Sequence, residues 1–504
     1  MNIKRAKTEI KDTIEAYLLK DEYGAYVIPT VRQRPVLLLG APGIGKTQIM
    51  EQIAQECGIG LVSYTITHHT RQSAIGLPFV SKRVFAGEEH TVTEYTMSEI
   101  VASVYEKMEK TGLSEGILFI DEINCVSETL APAMLQFLQC KTFGSHEIPQ
   151  GWVIVAAGNP PEYNKSVREF DVVTLDRVKK IEVEPDFQVW KEYAAKQQIH
   201  PAVTSYLNTR VGNFYKMETT VDGRMFATPR GWEDLSTILK VYDQLGKNMD
   251  REVVQQYIQH EQIAKDFANY LELYRKYQMD YQLDAVLEGN IDDLLLKKAS
   301  HASFDEKLSV VSLLLSRCQN RFAELMRREQ ILTFLFENLK QWKTGLFGEH
   351  RTQPFVYIQE IIDLWIRESE QKKKAELLTK QELYVRRKVT EFMEKYLIRL
   401  KKQEITDAEE LFEQVKSWFD EEQDQYEAET DAAGQMLEYA FDFIEAAFGA
   451  GQEMVIFITE LNIDYYSVKF LQQYECERYY RYNKSLLFDE TSRSIEARMG
   501  ALGR

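Results

Sequence analysis

The residues best suited to chemistry cluster in VLLLGAPGIGKT, where Gly40, Gly45, Lys46 and Thr47 take the G-x4-G-K-[ST] spacing directly after an apolar run. Glycines at these positions let backbone amides wrap phosphate oxygens. The lysine can reach β- and γ-phosphates, and the threonine hydroxyl can ligate magnesium. The expected phosphate-binding stretch is Gly40, Ala41, Pro42, Gly43, Ile44, Gly45, Lys46, Thr47 and Gln48. Its flanks agree with that chemistry. Ile49, Ile53 and Cys57 recur every four residues on one face of the following helix, and Gly58 supplies a stop.

About 75 residues further on, GILFIDE ends an apolar run in Asp121 and Glu122. Parallel sheets place ligand groups outside the carboxyl ends of their strands. An aspartate there can hold magnesium, and the adjacent glutamate can polarise an attacking water. Alone such a carboxylate pair is common; after a phosphate loop it is diagnostic. A third run, GWVIVAAGNP, ends in Asn159, whose amide can bridge the γ-phosphate and the lytic water. The competing reading of Asn159 is a turn residue, since Asn-Pro is itself a turn signal. Later come Asp176 and Arg177 in LDRVKKIEVEP and Arg230 in FATPRGWEDLS, each open to the ordinary reading of a surface salt bridge.

The elements that must position these residues follow from proline and hydrophobic pattern. Val36 to Leu39, Ile117 to Ile120 and Val153 to Ala157 read as buried strands of a largely parallel α/β sheet. Eleven of the twelve prolines lie at or before Pro229, and only Pro354 lies beyond. From about Arg251 onward, apolar residues recur at three- and four-residue steps, which predicts long helices. Within that half, MVIFITEL reads as a late strand. The tyrosines at 465, 466, 474, 479, 480 and 482 read as core rather than interface. Lys372 to Lys374 and the acidic Asp420 to Asp431 read as solvated helix faces or linkers.

A chain of 504 residues calls for two or three domains, and 44% hydrophobic with 28% charged residues is a globular composition. The net charge of -17 disfavours nucleic acid as a main partner, because phosphate backbones are held by Lys and Arg. Five cysteines with no CxxC pair suggest neither a disulfide framework nor a zinc site, and fit a reducing cytoplasm. No signal peptide and no membrane span are expected. The adjacent His68 and His69 are not expected to bind metal, since neighbouring side chains on a strand face opposite ways.

The ordered set of phosphate loop, DE strand, Asn-ended strand, DR and late TPR resembles an AAA+ ATPase, and its wording resembles the MoxR-type members, over about Val36 to Ile238. The resemblance implies ATP and Mg2+ as ligands. It assigns Arg177 as an arginine finger reaching a neighbouring subunit's nucleotide, with Arg168 as its rival, and Arg230 as the sensor-2 arginine. It implies a ring, expected to be hexameric, acting as a chaperone-like remodelling motor. A partner carrying a von Willebrand factor A domain is a further implication, with the Asp420 to Asp431 segment able to offer that domain a carboxylate. The stretch from His68 to Tyr95 is similar to the family's helix-2 insertion, and CKTFGSHEIPQG to a hairpin turning at Gly144; plain structural hairpins are the competing reading.

The expected fold is an α/β P-loop NTPase core, a parallel sheet sandwiched by helices, with a small helical lid, followed by a mainly α-helical C-terminal region. The expected segments are 1–35 (N-terminal helical), 36–185 (nucleotide-binding core), 186–250 (lid) and 251–504 (helical partner or substrate module). Alternative functions are a nucleotide-gated scaffold and a nucleic-acid-associated motor.

Overall fold

The computed structural model describes residues 1–68, 74, 76–143, 146–163, 170–220, 223–348, 353–403 and 407–486. In chain order the strands are β1 (Val36–Gly40), β2 (Gly60–Thr65), β3 (Pro78–Phe85), β4 (Glu88–Tyr95), β5 (Gly116–Asp121), β6 (Thr142–Phe143), β7 (His146–Glu147), β8 (Trp152–Gly158), β9 (Lys179–Val183), β10 (Lys216–Thr220) and β11 (Gly223–Ala227). Packing divides the chain into two compact units. The first holds Met1–Val189 with Ile366–Leu383, and the second holds Trp190–Trp365 with the chain from Tyr384 onward.

In the first unit, β1, β2, β5, β8 and β9 form one parallel sheet in the order β2-β5-β8-β1-β9, flanked by helices. The three central strands are covered on both faces, and this is why they read as unbroken apolar runs rather than alternating ones. Glycine opens β5 for a packing reason: a Cβ on Gly116 would stand 2.6 Å from the Trp152 ring. The register pairs Ile120 with Ala156 and Leu39 with Gly158, so the carboxyl ends of β5, β8 and β1 finish level.

The N-terminal helix Ile3–Leu18 is tied to this sheet. The Met1 ammonium donates to Glu182 O (2.7 Å), and Lys179 Nζ bonds both Glu9 and Thr13 at 2.7 Å. From the C-terminal half, Glu376 reaches the same unit, pairing with Lys107 at 2.7 Å.

Two hairpins decorate the first unit. β3 and β4 pair from Pro78 with Tyr95 to Phe85 with Glu88, and the intervening Ala86 and Gly87 both have positive φ, the signature of a type I′ turn. The rest of that insertion, residues 69–73 and 75, lies outside the described residues, as do the side chains of His68 and His69. β6 pairs with β7 as the hairpin expected in CKTFGSHEIPQG, with Gly144 outside the described residues.

The second unit is mainly helical. Its longest members are Phe304–Leu346 (43 residues) and Ala408–Phe448 (41 residues). Ser303 starts the former by accepting from Glu306 N, and Asp407 starts the latter by accepting from Glu409 N and Glu410 N. The acidic Asp420 to Asp431 segment is part of the second long helix, where Glu422 and Glu429 both bond Arg328 and Glu427 accepts from Gln423 (3.2 Å).

Two expectations need correction. MVIFITEL is not a strand but lies in the helix Gln452–Ile463, with Met454, Phe457, Ile458 and Leu461 buried at three- and four-residue steps. The lid region is not purely helical, since it contains the antiparallel hairpin β10–β11. The tyrosine-rich segment divides: Tyr466 and Tyr479 are buried, whereas Tyr465 and Tyr480 are exposed. Among the described residues no helix is long and apolar enough to cross a membrane.

Residues on either side of Asp250 share one core. Tyr206 and Trp232 pack against Phe267 with ring centroids 5.2 and 5.4 Å apart, and the Tyr270 hydroxyl bonds Ser205 (2.6 Å) and Ser309 (3.2 Å). Removing one buried aromatic side chain costs about 3–5 kcal/mol. A chain cut after Asp250 should therefore keep the parallel sheet of the first unit, without its Ile366–Leu383 segment, but lose order in residues 190–250, read as a red shift of tryptophan emission and rapid proteolysis within that segment. Protection equal to that of the intact chain would contradict this packing account.

Candidate active site

The side-by-side ends of β1, β5 and β8 each deliver one of the residue groups singled out by the sequence. β1 leads into the glycine-rich loop. Gly43 (φ 76°) and Gly45 (φ 92°) take left-handed backbone that a Cβ disfavours. Gly40 is required by space instead, because a Cβ there would stand 2.7 Å from Val183 O and 2.8 Å from Ile44 Cδ1. The helix Lys46–Cys57 begins at once, and its first-turn amides, which lack intrahelical partners, are suited to an anion at the mouth of the loop.

Lys46 is buried, and its ammonium donates to Gly40 O (2.8 Å), Ala41 O (2.8 Å) and Asn159 Oδ1 (2.9 Å). The structure thus brings together a lysine and an asparagine 113 residues apart in sequence. The neighbouring Thr47 hydroxyl donates to Asp121 Oδ2 at 3.2 Å. A hydroxyl and a carboxylate are hard oxygen donors. Magnesium suits such a set, taking one or two protein oxygens and completing its octahedron with water and phosphate. The residues present fit that ion.

Asp121 closes β5, and its Oδ1 accepts from Glu122 N at 2.9 Å. Glu122 follows with φ 57°, a left-handed conformation that costs a residue with a Cβ roughly 1 kcal/mol. The turn is closed by Cys125 N donating to Glu122 O (2.8 Å) and Ile123 N to Ala157 O (2.9 Å). Glu122 is half-buried at the strand end, beside the Asp121–Thr47 pair.

Asn124 is a site residue that none of the motifs flags. It is buried, donates through Nδ2 to Asn159 O (2.7 Å), and accepts at Oδ1 from Asn159 N (3.3 Å). The available signal in the sequence is a polar residue inside the apolar run that follows the DE pair.

Arg177 caps the short helix Val172–Asp176, its amide donating to Thr174 O at 3.1 Å, and its exposed guanidinium bonds Gln139. Arg168 lies outside the described residues. Arg230 is exposed in the first turn of the helix Pro229–Gln244, whose N-cap Thr228 accepts from Gly231 N, and it belongs to the second unit. On the strand-end side of the loop, Gly40, Ala41, Asn124, Asn159, Phe170 and Val183 help line a cavity of about 460 Å³.

A parallel sheet with a glycine-rich loop and buried lysine at the end of β1, and a carboxylate at the end of the DE strand, defines a P-loop nucleotide-binding fold. Residues 36–175 match the family model of the ATPase family associated with various cellular activities (AAA), so the first unit contains an AAA domain, which supports an ATP-binding AAA+ protein. No curated protein matches the chain.

The roles expected of Lys46 and Glu122 separate holding phosphate from activating water. Lys46→Ala should weaken ATP binding by roughly 10- to 100-fold or beyond detection, since hydrogen bonds to a charged group are each worth about 1.5–3 kcal/mol. Glu122→Gln should bind ATP as the wild type does but turn it over far more slowly. Titration of a fluorescent ATP analogue into both variants separates the two; equal affinities would contradict the assignment.

Proposed function

We propose that this chain hydrolyses ATP with magnesium and works as a ring-forming remodelling motor of the MoxR type, with a hexamer as the expected assembly. The observation that carries the hydrolytic reading is the Lys46–Asn159 contact beside the Thr47–Asp121 pair. An ammonium, a hydroxyl–carboxylate pair and a side-chain amide gathered at the ends of three adjacent strands support that reading.

In this reading Lys46 and the loop amides bind the β- and γ-phosphates, and Thr47 and Asp121 hold magnesium, which supplies charge neutralisation when bound. Glu122 orients a water toward the γ-phosphorus and accepts its proton as the new P–O bond forms and the bond to the β-phosphate oxygen breaks. ADP and inorganic phosphate are the products. Asn159 contacts the γ-phosphate or the attacking water. The cavity beside the loop provides room on that side.

The trans role of Arg177 is supported by its exposure and by the flanking Val172 and Val173, which are 81% and 58% exposed. An apolar surface around an accessible guanidinium suits a contact with a second copy. Arg230 keeps the sensor-2 role that the resemblance assigns.

Arg177→Ala should lower turnover by about 10³- to 10⁵-fold while leaving ATP binding nearly intact, the scale set by arginines supplied to phosphoryl-transfer sites. Mixing Arg177→Ala with Lys46→Ala chains should recover part of the activity, because some mixed interfaces pair an intact loop with an intact arginine. Mixtures as inactive as either parent, with assembly intact by light scattering, would contradict the trans assignment.

A further inference from the structure

Asn159 meets Lys46 through its side-chain oxygen, so the orientation of its backbone decides where that oxygen points. Gly158 ends β8, and the proline that follows confines the Asn159 backbone to the extended region without giving it a hydrogen-bond partner. The fixing contacts come from the neighbouring chain segment. The buried Asn124 amide donates to Asn159 O at 2.7 Å and accepts from Asn159 N at 3.3 Å, closing a two-hydrogen-bond ring on the backbone of that one residue.

Two features show that this ring is built into the strand ends. The turn that carries Asn124 is pinned to β8 by Ile123 N donating to Ala157 O (2.9 Å) and is entered through the left-handed Glu122. The ring also requires a glycine across from it: a Cβ on Gly158 would stand 2.6 Å from Asn124 Oδ1 and 2.9 Å from its Cγ. An amide is the side chain that satisfies both partners at once, because it carries a donor and an acceptor on one planar group.

We propose that Asn124 is a positioning residue for ATP hydrolysis, holding Asn159 so that its side chain reaches the Lys46 ammonium and the terminal phosphate. It also makes the DE turn and the Asn159 strand end move as one piece, so that the water-orienting carboxylate and the phosphate-contacting amide keep a fixed spacing. This inference rests on the hydrolytic reading above. It adds a residue that acts through Asn159.

Asn124→Asp tests it with almost no change of shape. The carboxylate can still accept from Asn159 N, but its second oxygen faces Asn159 O, two acceptors about 2.7 Å apart, and must push it away. Gly158→Ala perturbs the same ring from the other side, by a methyl group against Asn124. In both variants kcat should fall by about 10- to 100-fold, the scale of a misplacement near 1 Å. KM and the affinity for a fluorescent ATP analogue should stay close to wild type, while the melting temperature falls modestly, because overpacking or a buried acceptor clash costs stability, with the chain still folded at the assay temperature.

A double-mutant cycle separates positioning from general stability. On an Asn159→Ala background, Asn124→Asp should cost little further turnover, because the side chain it positions is already gone. Wild-type kcat in both Asn124→Asp and Gly158→Ala, or full additivity with Asn159→Ala, would overturn the inference while leaving the hydrolytic reading intact. Absence of hydrolysis in the wild type assayed alongside would overturn that reading, and this inference with it. If Asn124→Asp does not fold, the same cycle run with Gly158→Ala decides between positioning and additivity.

Discussion

The Lys46 ammonium lies in the protein interior with two loop carbonyls and one side-chain amide as its acceptors. An unpaired buried charge is costly, so these oxygens offset the burial of the lysine. The rest of the site follows from that constraint. The loop must double back far enough for Gly40 O and Ala41 O to face the ammonium, which requires left-handed backbone at Gly43 and Gly45 and an unencumbered approach at Gly40. Asn159 must arrive from a strand that is adjacent in space but remote in sequence, and the order β5-β8-β1 with level carboxyl ends achieves this.

The same interaction explains how nucleotide would be sensed. Phosphate oxygens are stronger acceptors for an ammonium than neutral carbonyls. In the proposed reading a phosphate would compete with Asn159 for Lys46. Asn124 ties the end of β8 to the turn carrying Glu122, so the two strand ends are joined by hydrogen bonds. Exposed surface next to this machinery, around Val172, Val173 and Arg177, is where a second copy would complete it.

Much of this is legible in sequence wherever one local rule decides. Strands buried on both faces leave continuous apolar runs, and β1, β5 and β8 stand where those runs fall. The glycine-rich loop is legible because its spacing reflects backbone geometry. The departure at MVIFITEL has a clear cause: β-branched residues suggest a strand, while the burial spacing of Met454, Phe457, Ile458 and Leu461 is helical. The hairpin β10–β11 falls in a stretch read as helical, and Gly223 opens its second strand opposite Thr220. Asn124 has almost no local signal, because its role depends on a partner 35 residues away. The loss of proline after Pro229 marks the onset of long helices, whereas packing places the division between units at Val189, since Tyr206 and Trp232 share a core with Phe267.

The central claim is that these strand ends form a working hydrolytic site completed by a second copy. The most direct measurement is phosphate release from saturating ATP by the full-length protein over a wide range of protein concentration, with and without magnesium. The account predicts magnesium-dependent release whose rate per chain rises with protein concentration and then levels off as assembly completes. Release that is absent at every concentration, or that proceeds at one constant rate per chain down to the most dilute sample, would contradict it.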